Sequence, residues 1–262
     1  MRIAVLQTGS SDLGRLREAA QTAAGRGARL LITPEAFTTG YNVPEVAERA
    51  QPPRGPWQEE VASIAQETGV AILYGYAERD GDVVRNAAQL VDRDGRALAN
   101  YRKSHLYGEV DTRTFTPGEG DFAVVDLDDV KVGILICYDV EFPEAVRALA
   151  LAGADLVAVP TALMRPYEVV TRTVVPSRAY ENQVYVAYAN RCGTEDPLAY
   201  CGESCVVGPD GADLARAGSG EELLLADIDP ARLASSRAAN THLGDRRPEL
   251  YGALTHREEH AR

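Results

Sequence analysis

The segment Gly133-Ile-Leu-Ile-Cys-Tyr-Asp-Val-Glu-Phe-Pro-Glu144 passes from an apolar strand through a polar turn into a helix opened by Pro143. Proline is favoured in the first turn of a helix, where its missing N–H is not needed. Residues 131–137 therefore read as a strand, 143–152 as a helix and 154–159 (ADLVAV) as the next strand. Cys137 falls at the strand-to-helix turn. Backbone N–H groups and a helix dipole at such a turn favour a thiolate and can hold an oxyanion. A buried structural cysteine is the plainer alternative.

Working outward, the same order of elements occurs twice. The first half reads strand 2–7, helix 13–25, strand 28–33, helix 57–68 and strand 70–76, then a hairpin over 88–99 turning at Asp94-Gly95. After the segment above, the second half continues with a helical pattern over 167–182, strand 183–189 and a hairpin over 203–214 turning at Asp210-Gly211. Pro176 lies inside the 167–182 pattern and should kink or split that helix. Strands such as LLIT, VGILIC and DLVAV are almost wholly apolar, as expected when both sheet faces are covered. Helices between strands give an α/β class. One doubly wound sheet would satisfy this pattern. The internal echo favours two face-to-face sheets with helices outside, an α-β-β-α sandwich.

Composition narrows the function. The chain has 262 residues, 45% hydrophobic and 25% charged, which fits a globular domain with a sizeable core. No linker-like stretch interrupts it, so 1–262 reads as one domain with 245–262 as a C-terminal tail. With 27 basic against 39 acidic residues the net charge is -12, so a nucleic-acid partner is not expected. No apolar run approaches the roughly 20 residues of a membrane span, and the start MRIAVLQTGS lacks the features of a signal peptide. Four cysteines, at 137, 192, 201 and 205, are too sparse for a disulfide framework and point to a reducing cytoplasm. The last three have no C-x-x-C spacing and no nearby histidine, so packing is expected of them and zinc is not. Gly118-Glu-Gly-Asp-Phe-Ala123 fits a dinucleotide-loop spacing but precedes a strand-like AVVDL instead of a helix, and that reading fails.

Two further segments carry chemistry. Glu35 in Thr33-Pro-Glu-Ala-Phe-Thr-Thr-Gly-Tyr41 follows a buried strand at its carboxyl end, where α/β folds place ligands. Desolvation there would raise its pKa and suit it to general-base work. Lys103 in Tyr101-Arg-Lys-Ser-His-Leu-Tyr-Gly108 is a cation that could face developing negative charge, though taken alone it reads as a surface lysine. His105 beside it reads as a structural hydrogen-bonding group, because no serine or aspartate motif points at it.

Taken together, PEAFTTGY around Glu35, NYRKSHL around Lys103 and ICYDVEFPE around Cys137 resemble the carbon–nitrogen hydrolases of the nitrilase superfamily over nearly the whole chain. GEVDTRTFTPG, AYANRCG, YCGES and DRRPELY resemble the aliphatic amidases of that superfamily. The resemblance implies a four-layer α-β-β-α fold and a Glu-Lys-Cys triad. Glu35 would take the Cys137 proton, the thiolate would attack an amide carbon, and Lys103 with the Tyr138 N–H would hold the oxyanion. A thioester and ammonia would follow, and no metal or organic cofactor is needed.

Many members of the family carry a second glutamate after the lysine. Its place holds Asp111 here, while Glu109 lies two residues earlier; the longer Glu109 is the expectation and Asp111 the alternative. By analogy Tyr41, Tyr138, Glu141, Phe142, Thr161, Ala162 and Met164 line a substrate pocket. Glu141 or Glu109 could pair with the ammonium of an ω-amino amide. The expected reaction is hydrolysis of small aliphatic amides to acid and ammonia. A nitrilase, an N-carbamoyl-amine hydrolase or a non-catalytic scaffold are the alternatives. The resemblance also implies a homodimer or larger assembly, with Arg246 to Tyr251 against a partner or a neighbouring sheet and 256–262 as a frayed end.

Overall fold

A computed structural model of the chain describes residues 1–255. The first sheet contains β1 (Arg2–Gln7), β2 (Leu30–Ile32), β3 (Ala71–Asp80), β4 (Val83–Val91) and β5 (Ala97–Arg102). The second contains β6 (Val124–Leu127), β7 (Val130–Ile134), β8 (Leu156–Thr161) and β9 (Tyr185–Asn190). A separate two-stranded hairpin, β10 (Cys192–Glu195) and β11 (Leu198–Cys201), precedes the last strands, β12 (Cys205–Val207), β13 (Asp213–Arg216) and β14 (Glu222–Asp227). The sheet orders are β14-β1-β2-β3-β4-β5 and β13-β12-β9-β8-β7-β6.

Each sheet has a parallel centre, β1-β2-β3 and β7-β8-β9, extended by antiparallel strands. The two sheets are therefore near copies in layout, as the echo in the sequence implies. The copy is broken where β14, from the end of the chain, pairs antiparallel with β1 in the first sheet.

Among the described residues seven α-helices complete the layers: α1 (Leu13–Gly25), α2 (Val46–Arg49), α3 (Pro56–Thr68), α4 (Gly108–Thr112), α5 (Pro143–Leu151), α6 (Val175–Asn182) and α7 (Pro230–Ala239). The period of two along a strand sorts the core. Ile3, Val5, Ile32 and Leu73 belong to the cluster between the sheets, whereas Ala4, Leu6, Leu31, Ile72 and Tyr74 pack with α1 and α3. Both sets are buried, which is why these strands carry hardly any polar residue. Across the interior β1 packs on β9 and β2 on β8. On the far side α5 and α6 bring Val146, Leu149, Val175 and Ala179 against the second sheet. Gly133 in β7 permits that approach, since a Cβ there would lie 2.9 Å from Leu149. The fold is the expected α-β-β-α sandwich, and the single-sheet alternative falls.

Local differences have local causes. The helical pattern over 167–182 is divided into a π-helical turn, Val170–Val174, and α6, with Pro176 in the first turn of α6. The proline lacks the N–H that an unbroken α-helix would use, and the ladder widens before it. The β3–β4 hairpin runs well past the expected end at Tyr76, because the charged stretch ERDGD continues the pairing to Asp80 and Val83. Asp245, Arg246 and Tyr251 of the expected tail share a surface cleft with Arg147 of α5 and Glu181 of α6. The expected frayed end, 256–262, is outside the described residues. Among the described residues, no helix is long and apolar enough to cross a membrane.

Candidate active site

The three chemical segments meet at the carboxyl ends of the parallel strands. Glu35 follows β2, Cys137 follows β7, and Lys103 follows β5 at the sheet edge. The backbone N–H of Glu35 donates to the Thr161 carbonyl at the end of β8 (3.2 Å), tying the first sheet to the second at the site. The turn after β2 is tight. Ala36 has φ +47, a left-handed value that costs a non-glycine residue on the order of 1–3 kcal/mol. Gly75 of β3 makes room for it, since a Cβ there would lie 2.6 Å from the Ala36 nitrogen.

Lys103 is the centre of the charge arrangement. Its Nζ donates to Glu35 Oε1 and to Asp111 Oδ2, each at 2.7 Å, and all three side chains are buried. Asn86 Nδ2 donates to the same Glu35 oxygen at 2.7 Å, and the Tyr107 N–H donates to Asp111 Oδ2 at 2.8 Å. Among the described residues, Glu35 Oε2 and Asp111 Oδ1 are buried without a hydrogen-bond partner.

Burial pushes the Glu35 carboxyl up; the Lys103 ammonium opposes that shift and the Asp111 charge adds to it. Burial disfavours the Lys103 ammonium, but the two carboxylates outweigh it and hold the side chain protonated well beyond its ordinary range.

Cys137 opens a five-residue 3-10 turn, Cys137–Glu141, with φ +47. Burial drives its thiol pKa well up and Glu35 adds to the rise, against Lys103 and the Ala162 N–H. This corrects the expectation of a thiolate favoured by a helix dipole. One short turn provides too little field to offset a dry site. The dry site thus disfavours the thiolate form. Asp139 fixes the turn: its Oδ2 accepts from the Ile136 N–H (3.1 Å) and Tyr101 Oη (3.0 Å), and its Oδ1 from the His105 N–H (2.9 Å). His105 Nδ1 also bonds Asp139 Oδ1 (2.8 Å), and its ring stacks on Phe142 at 3.9 Å, the structural part read for it.

Cys137 forms part of the wall of a cavity of about 190 Å³. Of the residues expected around it, Tyr41, Tyr138, Glu141, Ala162 and Met164 are there. Phe142 stands behind with His105, and Thr161 is buried with its hydroxyl turned onto the Val159 carbonyl. Tyr107, Leu163 and Tyr167 complete the wall and escaped the sequence reading, since loop tyrosines carry no periodic signal. Asp139 and Asn86 also escaped it. Asp139 sits two residues after the cysteine inside a quoted motif, and a short acid there is a signal for a capped turn.

Glu109 is a further correction. It is exposed on α4 and faces an outer cleft with Asn42 and Arg113, while Asp111, one half-turn on, points inward to Lys103. The helix places the shorter acid, and not the longer one, against the lysine.

A family model described as carbon–nitrogen hydrolase matches residues 2–238. The chain is a carbon–nitrogen hydrolase. Among known relatives of this hydrolase, the "Hydrolase in pqqF 5'region" of Pseudomonas protegens is 49% identical over 95% of this chain and 87% of its own. An (R)-stereoselective amidase of a Pseudomonas species is 36% identical over 97% and 94%. A nitrilase-superfamily amidase of Nesterenkonia sp. AN1 has the same fold. One of its structures, a cysteine-to-alanine variant in complex with butyramide, superposes with TM-score 0.83 at 37% identity, covering 96% of this chain and 95% of that one. Another, with a glutamate also replaced by glutamine, holds acrylamide at TM-score 0.88, 36% identity and 97% of both chains.

Proposed function

We propose that this hydrolase cleaves the C–N bond of small aliphatic primary amides, giving a carboxylic acid and ammonia through a thioester on Cys137. The observation that carries the reading is the buried Lys103 ammonium held between Glu35 and Asp111 beside the buried Cys137, which lines a small cavity. Glu35 takes the thiol proton as sulfur attacks the amide carbon. The carbonyl oxygen becomes an oxyanion that accepts from Lys103 Nζ and the Tyr138 N–H. The C–N bond then breaks, Glu35 returns its proton to the leaving nitrogen, and ammonia departs. Water gives a proton to Glu35, its oxygen attacks the thioester, and the C–S bond breaks as Glu35 passes that proton to the sulfur, releasing the acid and restoring both the thiol and the carboxylate.

The cavity size supports a short substrate, and butyramide and acrylamide in the similar amidase support the amide class. Glu141 refines it. Burial raises its carboxyl, against Arg178 and Lys103, and among the described residues no donor bonds that carboxylate. Tyr41, Tyr107, Tyr138 and Tyr167 stand around the same cavity. A carboxylate among aromatic faces suits an ammonium, so a chain ending in an amino group is the refined substrate.

The test is ammonia release across butyramide, a five-carbon ω-amino amide, matched nitriles and N-carbamoyl amines. Turnover of the two amides is expected. Turnover of nitriles or N-carbamoyl amines alone would overturn the reading.

Asp111 is assigned to the substrate side of Lys103, with Oδ1 free to accept from the amide nitrogen. Asp111→Asn is expected to lower kcat by roughly 10²–10³, the usual cost of losing one preorganised electrostatic group. Glu109→Gln should stay within about threefold, as exposed substitutions usually do. Steady-state kinetics on butyramide check the pair, and the reverse pattern would return the role to Glu109.

A further inference from the structure

Arg191 is buried without exposure, and its side chain is the largest so enclosed among the described residues. No step above uses it. Its Nε donates to the Glu35 carbonyl (3.1 Å) and its Nη2 to the Ala36 carbonyl (3.0 Å) and Ser11 Oγ (3.0 Å). Its Nη1 donates to the Gly9 carbonyl (3.4 Å) and lies 3.0 Å from Glu195 Oε1. Glu195 is carried at the end of β10, four residues on, and does more than balance the charge. Its Oε2 accepts from the Tyr41 N–H (3.0 Å), the Asn42 N–H (2.6 Å) and Tyr200 Oη (2.7 Å).

We propose that the Arg191–Glu195 ion pair is a positioning device that aims the Glu35 carboxylate through its backbone and holds the Tyr41 wall of the cavity in the same grip. The inference rests on the reading of Glu35 as the base. The Glu35 side chain is bonded through Oε1 alone, so its direction depends on the peptide groups from which it springs. Those groups sit in a left-handed turn at Ala36, where the Ala36 carbonyl also accepts from the Thr39 and Gly40 N–H groups (3.2 and 2.9 Å), while among the described residues Arg191 is the side chain that ties the Glu35 and Ala36 carbonyls together. A guanidinium suits the task, since its planar fork can take two successive carbonyls and a carboxylate together, which a compact ammonium cannot. The hairpin β10–β11 completes the arrangement: the Cys201 N–H donates to Leu163 and Met164 bridges to Tyr200, so one small sheet braces both walls of the cavity.

The experiment uses the full chain with butyramide and compares wild type, Glu35→Gln, Arg191→Lys and Glu195→Gln. Arg191→Lys keeps the charge next to Glu195 but loses the fork. It is expected to lower kcat by about 10–100-fold with KM within about threefold, because small misplacements of a reacting group cost that much. Loosening the turn lets water reach Glu35 and relieves the burial that raises its pKa, so the acid limb of the rate profile should move to lower pH. Glu195→Gln should act mainly on KM, through Tyr41. A folded Arg191→Lys protein with wild-type kcat and an unmoved acid limb overturns the proposal. If Arg191→Lys does not fold, wild-type KM and kcat in Glu195→Gln overturn it. Equal turnover by wild type and Glu35→Gln would remove the base itself, and the device with it, a failure distinct from the first two.

Discussion

Cys137→Ala is expected to release no ammonia from any amide while keeping the fold of the parent. The proposed chemistry has one bond-forming atom in the protein, Sγ, and alanine removes it and nothing else. Cys137 packs in the cluster between the sheets at 9% exposure, so its loss trims one atom from the core. A small truncation of that kind costs on the order of 1 kcal/mol. The left-handed φ of +47 burdens alanine and cysteine alike, so the turn is strained no further. Cys137→Ser is expected to be equally inactive, although it retains the shape. A hydroxyl is far less acidic than a thiol, and the base here is a carboxyl raised by burial, still too weak to ionise an alcohol. Ammonia release and a thermal melt on each purified variant check both halves. Wild-type turnover in Cys137→Ala would remove the thioester from the mechanism.

Lys103→Ala carries the second largest effect, because it acts on rate and stability together. The ammonium supplies one oxyanion donor in the proposed transition state, and losing such a donor costs roughly 10²–10³ in kcat. It also separates two buried carboxylates, Glu35 and Asp111. Breaking a buried ion pair from one side typically costs about 3–5 kcal/mol. The remaining acids relax by taking up a proton. With the cation that lowers it gone, the Glu35 carboxyl rises further, and any residual activity should show its acid limb at higher pH than wild type. Lys103→Arg separates charge from shape. It keeps the cation, but a planar fork cannot replace a point donor at 2.7 Å from both acids in a site without exposure. Arginine is therefore expected not to restore the rate. Near-normal kinetics in Lys103→Arg, with folding checked by circular dichroism, would reduce Lys103 to a generic charge.

Much of this was legible in the chain itself. Strand β1 and helix α1 are found at the bounds that their patterns imply, since an apolar run or a 3.6-residue stripe is a local property of sequence. The two-sheet layout was legible because the halves repeat. Glu35 and Cys137 were legible as strand-end candidates, whereas Lys103 alone read as a surface lysine, and the three were joined by the resemblance of their motifs to one family.

Other features arise only when distant segments meet. The hairpin β10–β11 has few apolar alternations, so its pairing is set by the cavity walls it covers. Strand β14 joins the first sheet from the far end of the chain because β1 would otherwise present an open edge. The choice of Asp111 over Glu109 depends on which side of a five-residue helix faces Lys103, and spacing alone does not fix that rotation. Arg191 and Asp139 look like ordinary charges until burial removes water and leaves backbone groups as their partners. The raised thiol pKa of Cys137 has the same origin: sequence places the thiol at a turn, but only the packed sheets determine how dry that turn is, and desolvation outweighs the local dipole. The sequence by itself determined the layers, because local periodicity encodes them, and its three motifs resemble a family whose proposed reacting groups they carry. Tertiary structure decided which acid stands against Lys103 and how strongly burial disfavours the charged form of each group, because burial and distance are properties of segments brought together.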